Sequence, residues 1–217
     1  MAKYTSKDFQ TLVNNIKGKD VIVLKATKNT IDRSATFSVN TAIKLITDEV
    51  NLSRQYLKSG INYVKRPSNN DLTAVVRANV RATLLERYPH SVYGGKGLGK
   101  GSVGGGTVSV NKGKSTFIKG LRYVTLKGSG ERVIGLSNID ALKHFRANLY
   151  KGKGATPLKV KKLQQINLRA KNNPYGRTPL HSRSINQLFE SARVDLQPDL
   201  KQFMQDNFLK EFNRLNK

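Results

Sequence analysis

The chain has 217 residues, 37% apolar and 24% charged, enough for a buried core in one large domain or two small ones and too apolar for wholesale disorder. Its 39 Lys and Arg against 14 Asp and Glu give a formal charge of +25, which repels itself unless a polyanion or an acidic neighbour compensates; nucleic acid is the first partner class expected, an anionic protein surface the second and a membrane the third. The absence of cysteine excludes disulfides, thiolate metal sites and a cysteine nucleophile, and fits folding in a reducing cytoplasm.

Residues 1–18 hold no apolar run of signal-peptide length, so export is not expected. Residues 8–16 read as a short helix, capped by Ser6, with Phe9, Leu12, Val13 and Ile16 on one face. The run Val21-Ile22-Val23-Leu24 is far too short to span a bilayer, which takes roughly 20 residues. Residues 21–26 either form a strand or extend a longer helix expected over about 28–49. In that helix Ile31, Ala35, Ala42, Ile46 and Val50 recur at helical multiples, while Asp32, Arg33, Asn40 and Lys44 fall on other faces. Ser53 then caps a short piece through Leu57, ended by Gly60.

The period changes after Gly60. Residues 61–66 alternate and Pro67 stops them; residues 71–85, rich in β-branched side chains, read as one or two strands. Eight of the 13 residues from 94 to 106 are glycine, which supplies no side chain to a core, so a flexible loop is expected there. Strands are expected over 107–110, 116–126 and 132–136, with Gly128-Ser129-Gly130 as a turn. Residues 140–149 look helical, and 151–173 form a basic, weakly patterned stretch. After Pro198 an apolar stripe returns at Leu200, Phe203, Met204, Phe208, Phe212 and Leu215. The reading is a single α+β domain: helical over 1–60, β-rich and basic over 61–137, a basic helical or loop insertion over 138–173 and a helical segment over 174–217. N-terminal helices would precede a central, mainly antiparallel sheet with a glycine-rich loop, and a C-terminal amphipathic helix would pack on the sheet.

The charge is concentrated. From Arg87 to Phe189 there are 20 Lys and Arg but only Glu131 and Asp140, a net +18. The candidate contacts to DNA or an acidic partner are Lys96, Lys100, Lys112, Lys114, Lys151, Lys153, Lys159, Lys161, Lys162, Arg169 and Lys171. Lysines dominate and aromatics are sparse within the clusters, a pattern that suits neutralising phosphates or acidic side chains more than reading base edges or stacking on single strands. Gly99-Lys100-Gly101-Ser102-Val103-Gly104 matches the dinucleotide pattern, but more glycine precedes it and a strand-like run follows, against the strand-then-helix context that pattern needs. His90, His144 and His181 are not spaced as a metal set. With two acids in the basic half, no catalytic residues, cofactor or metal are expected, and the chain reads as not an enzyme.

Four segments, in this order, resemble the minor tail protein Z family of long-tailed (lambda-like) phages. Residues 26–57, ending Thr47-Asp48-Glu49-Val50-Asn51-Leu52-Ser53-Arg54-Gln55-Tyr56-Leu57, are similar to the family's long helix and following short basic helix. Thr73-Ala74-Val75-Val76-Arg77-Ala78-Asn79-Val80, with Leu84 and Leu85 beyond, resembles its first strand; Phe117-Ile118-Lys119-Gly120-Leu121-Arg122, with Gly128 and Arg132, its central hairpin; and Pro174-Tyr175-Gly176-Arg177-Thr178-Pro179 its turn before the closing helix. The chain departs from the family in placing Arg177 and Thr178 between Gly176 and Pro179, and in a longer stretch over 138–172. The resemblance implies a structural virion protein made in the host cytoplasm, acting in tail completion at the neck or head–tail junction. It implies a multi-copy ring whose neighbours are the tail terminator, tail tube or connector, without catalytic residues. The basic middle would then make sequence-independent contact with genomic DNA, and no membrane is expected. The alternative from composition alone is a cellular nucleic-acid-binding protein, associated with ribosomes or the nucleoid.

Overall fold

The computed structural model describes residues 2–4, 20–93, 104–126, 129–149, 157–173 and 176–216. The helix expected over 8–16 lies outside them. In chain order the elements are β1 (Ala2–Tyr4), α1 (Asp20–Glu49), α2 (Arg54–Gly60), β2 (Ile61–Lys65), β3 (Ala74–Ala78), β4 (Ala82–Leu84), a 3-10 turn (Leu85–Arg87), β5 (His90–Tyr93), β6 (Gly105–Val108), β7 (Thr116–Lys119), β8 (Arg122–Thr125), β9 (Arg132–Ser137), α3 (Asn138–Leu149), α4 (Pro157–Asn172), β10 (Arg177–Pro179), β11 (His181–Ser184) and α5 (Ile185–Leu215). The class is α+β as the sequence predicts, with the strands in small antiparallel sheets. Two compact units divide the chain: residues 1–81 with 183–217, and residues 82–182 between them.

The first unit is built on α1 and α5. Residues 21–26 belong to α1, because Val23 and Ala26 carry its buried face back by a turn to meet Phe208 of α5. Ile31, Ala35, Ala42, Ile46 and Val50 are buried, as their spacing predicts. So are Thr27, Thr30, Ser34 and Ser38, residues that favour helices weakly. Thr30 and Ser38 satisfy their hydroxyls on the carbonyls one turn back, Ala26 O and Ser34 O, each at 2.7 Å. Packing, not propensity, therefore holds this helix. The helices run antiparallel: Asn29 of α1 meets Glu211 of α5, and two turns on Phe37 stacks on Phe203, ring centroids 4.2 Å apart.

Helix α5 begins at Ile185 rather than after Pro198. Ser184 accepts from Gln187 N–H at 3.1 Å, and Gln187 Oε1 accepts from Ser184 N–H at 2.9 Å, a reciprocal cap that starts the helix firmly. Pro198 sits inside the helix on its exposed side, as does Val194 four residues back, so the carbonyl that loses its N–H partner faces water. The first turns of α5 lie by the sheet β1-β3-β2, where Asn186 N–H donates to Asn79 O at 2.9 Å; most of its length runs along α1. Gly60 closes α2 for a steric reason: a Cβ there would stand 2.1 Å from Cδ1 of Ile185. Tyr63 of β2 donates to Asp32 Oδ1 at 2.7 Å, and Arg66 reaches both oxygens of the same carboxylate at 2.9 and 3.1 Å. Burial first, then the bond to Asp32, pushes the Tyr63 phenol far above its ordinary range.

The second unit holds the sheets β5-β6-β7 and β10-β9-β8, strand β4, and the packed helices α3 and α4. Its core includes Val108, Ile118, Leu121, Val124, Val133, Ile134, Leu136, Ala141 and Ile166. The expected strand over 116–126 is two strands, turned at Gly120, whose φ of +76° a side chain would resist. Ser137 caps α3 by accepting from Asp140 N–H at 3.2 Å, and its hydroxyl donates to the Asp140 carboxylate. Residues 157–172 of the weakly patterned stretch, read as helical or loop, are helix α4. A further expectation needs correction. Gly105 and Gly106, expected in a loop, are buried in β6, hydrogen-bonded to a strand on each side. Each lacks a side chain because its place is taken: a Cβ on Gly105 would meet the Phe117 ring at 2.5 Å, and one on Gly106 would meet Ser91 O at 2.3 Å and Leu121 at 2.8 Å.

Candidate polyanion-binding surface

The second unit contains 19 Lys and Arg and three acids, Glu86, Glu131 and Asp140. Two of those acids are engaged internally: Glu131 pairs with Arg87 at 3.6 Å, and Asp140 with Arg122 at 3.0 Å. Of the sequence-predicted contacts, Lys112 and Lys114 are exposed on the turn joining β6 to β7, which closes with Lys114 N–H donating to Asn111 O at 3.2 Å. Arg169 and Lys171 are exposed in the last turns of α4, where their charge also suits the helix C-terminus. Lys159, Lys161 and Lys162 fall on the same helix. Lys96, Lys100, Lys151 and Lys153 lie outside the described residues, as do residues 99–103 of the dinucleotide-like pattern. Its last glycine, Gly104, leads into strand β6 rather than a helix.

Among the described residues Lys112, Lys114, Lys119, Lys143, Arg169 and Lys171 are exposed and meet no carboxylate within ion-pair distance. Such cations keep their full charge for a partner, and the field of the unit adds to each. In the first unit, which holds more acids, several cations meet them: Arg33 and Arg214 on Glu211, Arg66 on Asp32, Lys65 on Asp71 and Arg183 on Glu49. The bond from Lys65 is the main reason the Asp71 carboxyl lies below its ordinary range.

Sequence reading missed the aromatic component of the surface. The pairing register sets Ser91, Thr107 and Phe117 in one row across β5-β6-β7 and Tyr93, Gly105 and Lys119 in the next, all on the face opposite Val108 and Ile118. Tyr93 and Phe117 are 55% and 61% exposed. The signal in the sequence was phase: both aromatics occupy the polar positions of their alternating strands. A third exposed aromatic, Tyr123 of β8, has the Arg132 guanidinium 4.2 Å above its ring and His90 at its edge.

In the first unit an open recess of 310 Å³ is lined by Val76, Arg77, Ala78, Asn79, Val80, Asn186 and Phe189, mostly apolar with one cation. Among the described residues no three His, Asp or Glu converge as metal ligands, and no helix is long and apolar enough to cross a membrane. No family model, no curated protein and no solved structure matches the chain.

Proposed function

We propose that this chain is a non-enzymatic structural component of a tailed-phage particle, similar to the minor tail protein Z family and acting in tail completion at the neck or head–tail junction. It works in several copies, as a ring against tail terminator, tail tube or connector subunits, and its basic unit flanks the DNA path, reading charge rather than sequence. The observation that carries the reading is the order of elements under the four resembling segments. Residues 26–57 are α1 and α2, residues 73–80 contain β3, residues 117–122 are the β7–β8 hairpin about Gly120, and 177–179 are β10 before the closing helix. The unpaired cations of residues 82–182 support the DNA contact, since each phosphate they neutralise releases counterion.

Composition taken alone favours a cellular nucleic-acid-binding protein, associated with ribosomes or the nucleoid. The two readings separate in a density gradient. A tail component travels with purified particles in fixed copy number and is seen at the neck by electron microscopy, and its depletion leaves tails that do not join heads productively. A chain that sediments with ribosomes or the nucleoid, and is missing from mature particles, overturns the proposal.

A further inference from the structure

The outward face of β5-β6-β7 carries something that charge neutralisation does not require. Phe117 lies over Gly105, with Cζ 2.5 Å from where a Cβ would stand. Tyr93 is the residue paired with Gly105 on the neighbouring strand. Two exposed rings thus border one glycine, on a sheet surface with no side chain at its centre. The core does not explain them, because it lies behind the sheet, where Val108 and Ile118 are buried and Leu121 packs on Gly106.

We propose that this face binds the unpaired bases of a single-stranded nucleic acid. One base stacks on Phe117 and a neighbouring base on Tyr93. Lys119, in the same cross-strand row as Tyr93, and Lys112 and Lys114 on the adjoining turn hold the phosphates. The hydroxyls of Ser91 and Thr107 lie in the Phe117 row and supply hydrogen bonds. Flat sheet faces bearing exposed aromatics are suited to splayed bases, and stacking tolerates any sequence because every base has a π face. Charge selects this occupant over the same face of a second copy. Interface cores are depleted of lysine, whereas here a lysine sits in the row beside the ring, and two such faces from units with 19 cations and three acids would repel each other. The inference rests on the polyanion contact proposed above, and not on where the chain sits in a particle.

The test uses the full chain and three fluorescent probes of about 12 nucleotides. These are an oligothymidine, an abasic strand with the same phosphates, and a duplex of equal length. The oligothymidine is expected to bind roughly tenfold tighter than the abasic strand. Phe117→Leu and Tyr93→Leu should each lower oligothymidine affinity roughly tenfold while leaving the abasic strand and the duplex within about twofold. Phe117→Leu keeps apolar cover on Gly105, so an unchanged thermal melt separates lost stacking from lost folding, and Phe117→Trp should restore binding. Equal affinity for base-bearing and abasic strands overturns the inference and leaves the electrostatic reading standing. Failure to bind any probe at low salt removes both. A wild-type oligomer that Phe117→Leu dissolves also overturns it, by making the face a contact between copies.

Discussion

Arg33 of α1 reaches across to Glu211 of α5 and closes a 2.9 Å ion pair on a carboxylate that is 1% exposed. Arg214 and Asn29 bind the other oxygen at 2.7 and 3.0 Å. Both arginines are half-exposed, so only the carboxylate bears a full desolvation penalty, and three donors offset it. The Arg214 bond first, with help from Asn29 and Arg33, holds this carboxyl below its ordinary range against the opposing effect of burial. A depressed folded-state value contributes stability that is present above the unfolded value, about 4.3, and lost as pH falls through the folded one. The melting temperature of the wild type should therefore fall between about pH 5 and pH 3 more steeply than that of Glu211→Gln. Glu211→Ala should cost about 1–3 kcal/mol at neutral pH by chemical denaturation, since the stranded arginines can turn to water. Equal acid sensitivity in Glu211→Gln and wild type would show that other carboxylates control it.

Gly106→Ala should destabilise the second unit by about 1–3 kcal/mol, because the new methyl meets backbone on one strand and Leu121 behind the sheet. At Gly113 a Cβ meets nothing, and the cost of Gly113→Ala is that of its φ of +68° alone, about 1–2 kcal/mol. Denaturant melts of both variants check the comparison. A Gly106→Ala protein as stable as wild type would mean that β6 does not pair as described.

Pro198→Ala should stabilise the chain by about 1–2 kcal/mol. The proline is exposed within α5 and removes one helical hydrogen bond without gaining a buried contact. Helicity by circular dichroism should rise slightly in parallel. A loss of stability instead would show that Pro198 is needed for α5 to follow α1.

Duplex DNA binding should weaken steeply with salt and be indifferent to sequence. Each phosphate contact contributes about −0.9 to the log–log slope, so roughly 4–6 contacts weaken binding about a hundredfold between about 50 and 200 mM salt. Replacing Lys112, Lys114, Arg169 and Lys171 with Gln should flatten the slope without shifting the thermal melt, because these side chains are exposed and unpaired among the described residues. An unchanged slope would assign the contacts to other cations. No binding at low salt would direct the charge to an acidic neighbouring subunit.

Much of the fold was legible where the signal is local. The spacing of Ile31, Ala35, Ala42, Ile46 and Val50 gave α1, and Ser53 marked the start of α2 with its side chain accepting from Tyr56 N–H. The start of α5 was equally available in the pair Ser184 and Gln187, but Pro198 outweighed it; only the exposure of Val194 explains why the proline is tolerated. Gly105 and Gly106 resembled the glycines before them, and what distinguishes them is the occupant of each Cβ position, Phe117 or Leu121, a fact of tertiary packing. The same holds for the surface. Counting charges located the basic unit, whereas bringing Tyr93 and Phe117 to one face depends on strand register, which composition does not carry.

The insertion of residues 82–182 into the first unit sets an order of events during synthesis. Helix α1 leaves the ribosome long before α5, its antiparallel partner, has been made. At roughly 5–20 residues per second the interval is about 10–30 s, ample for the strands of the inserted unit to pair first. Throughout it the face bearing Val23 and Ala26 has no α5 to cover it, so the first unit is the last to close although most of its sequence is translated first. Nascent chains halted before residue 185 should consequently be the ones that chaperones bind most persistently.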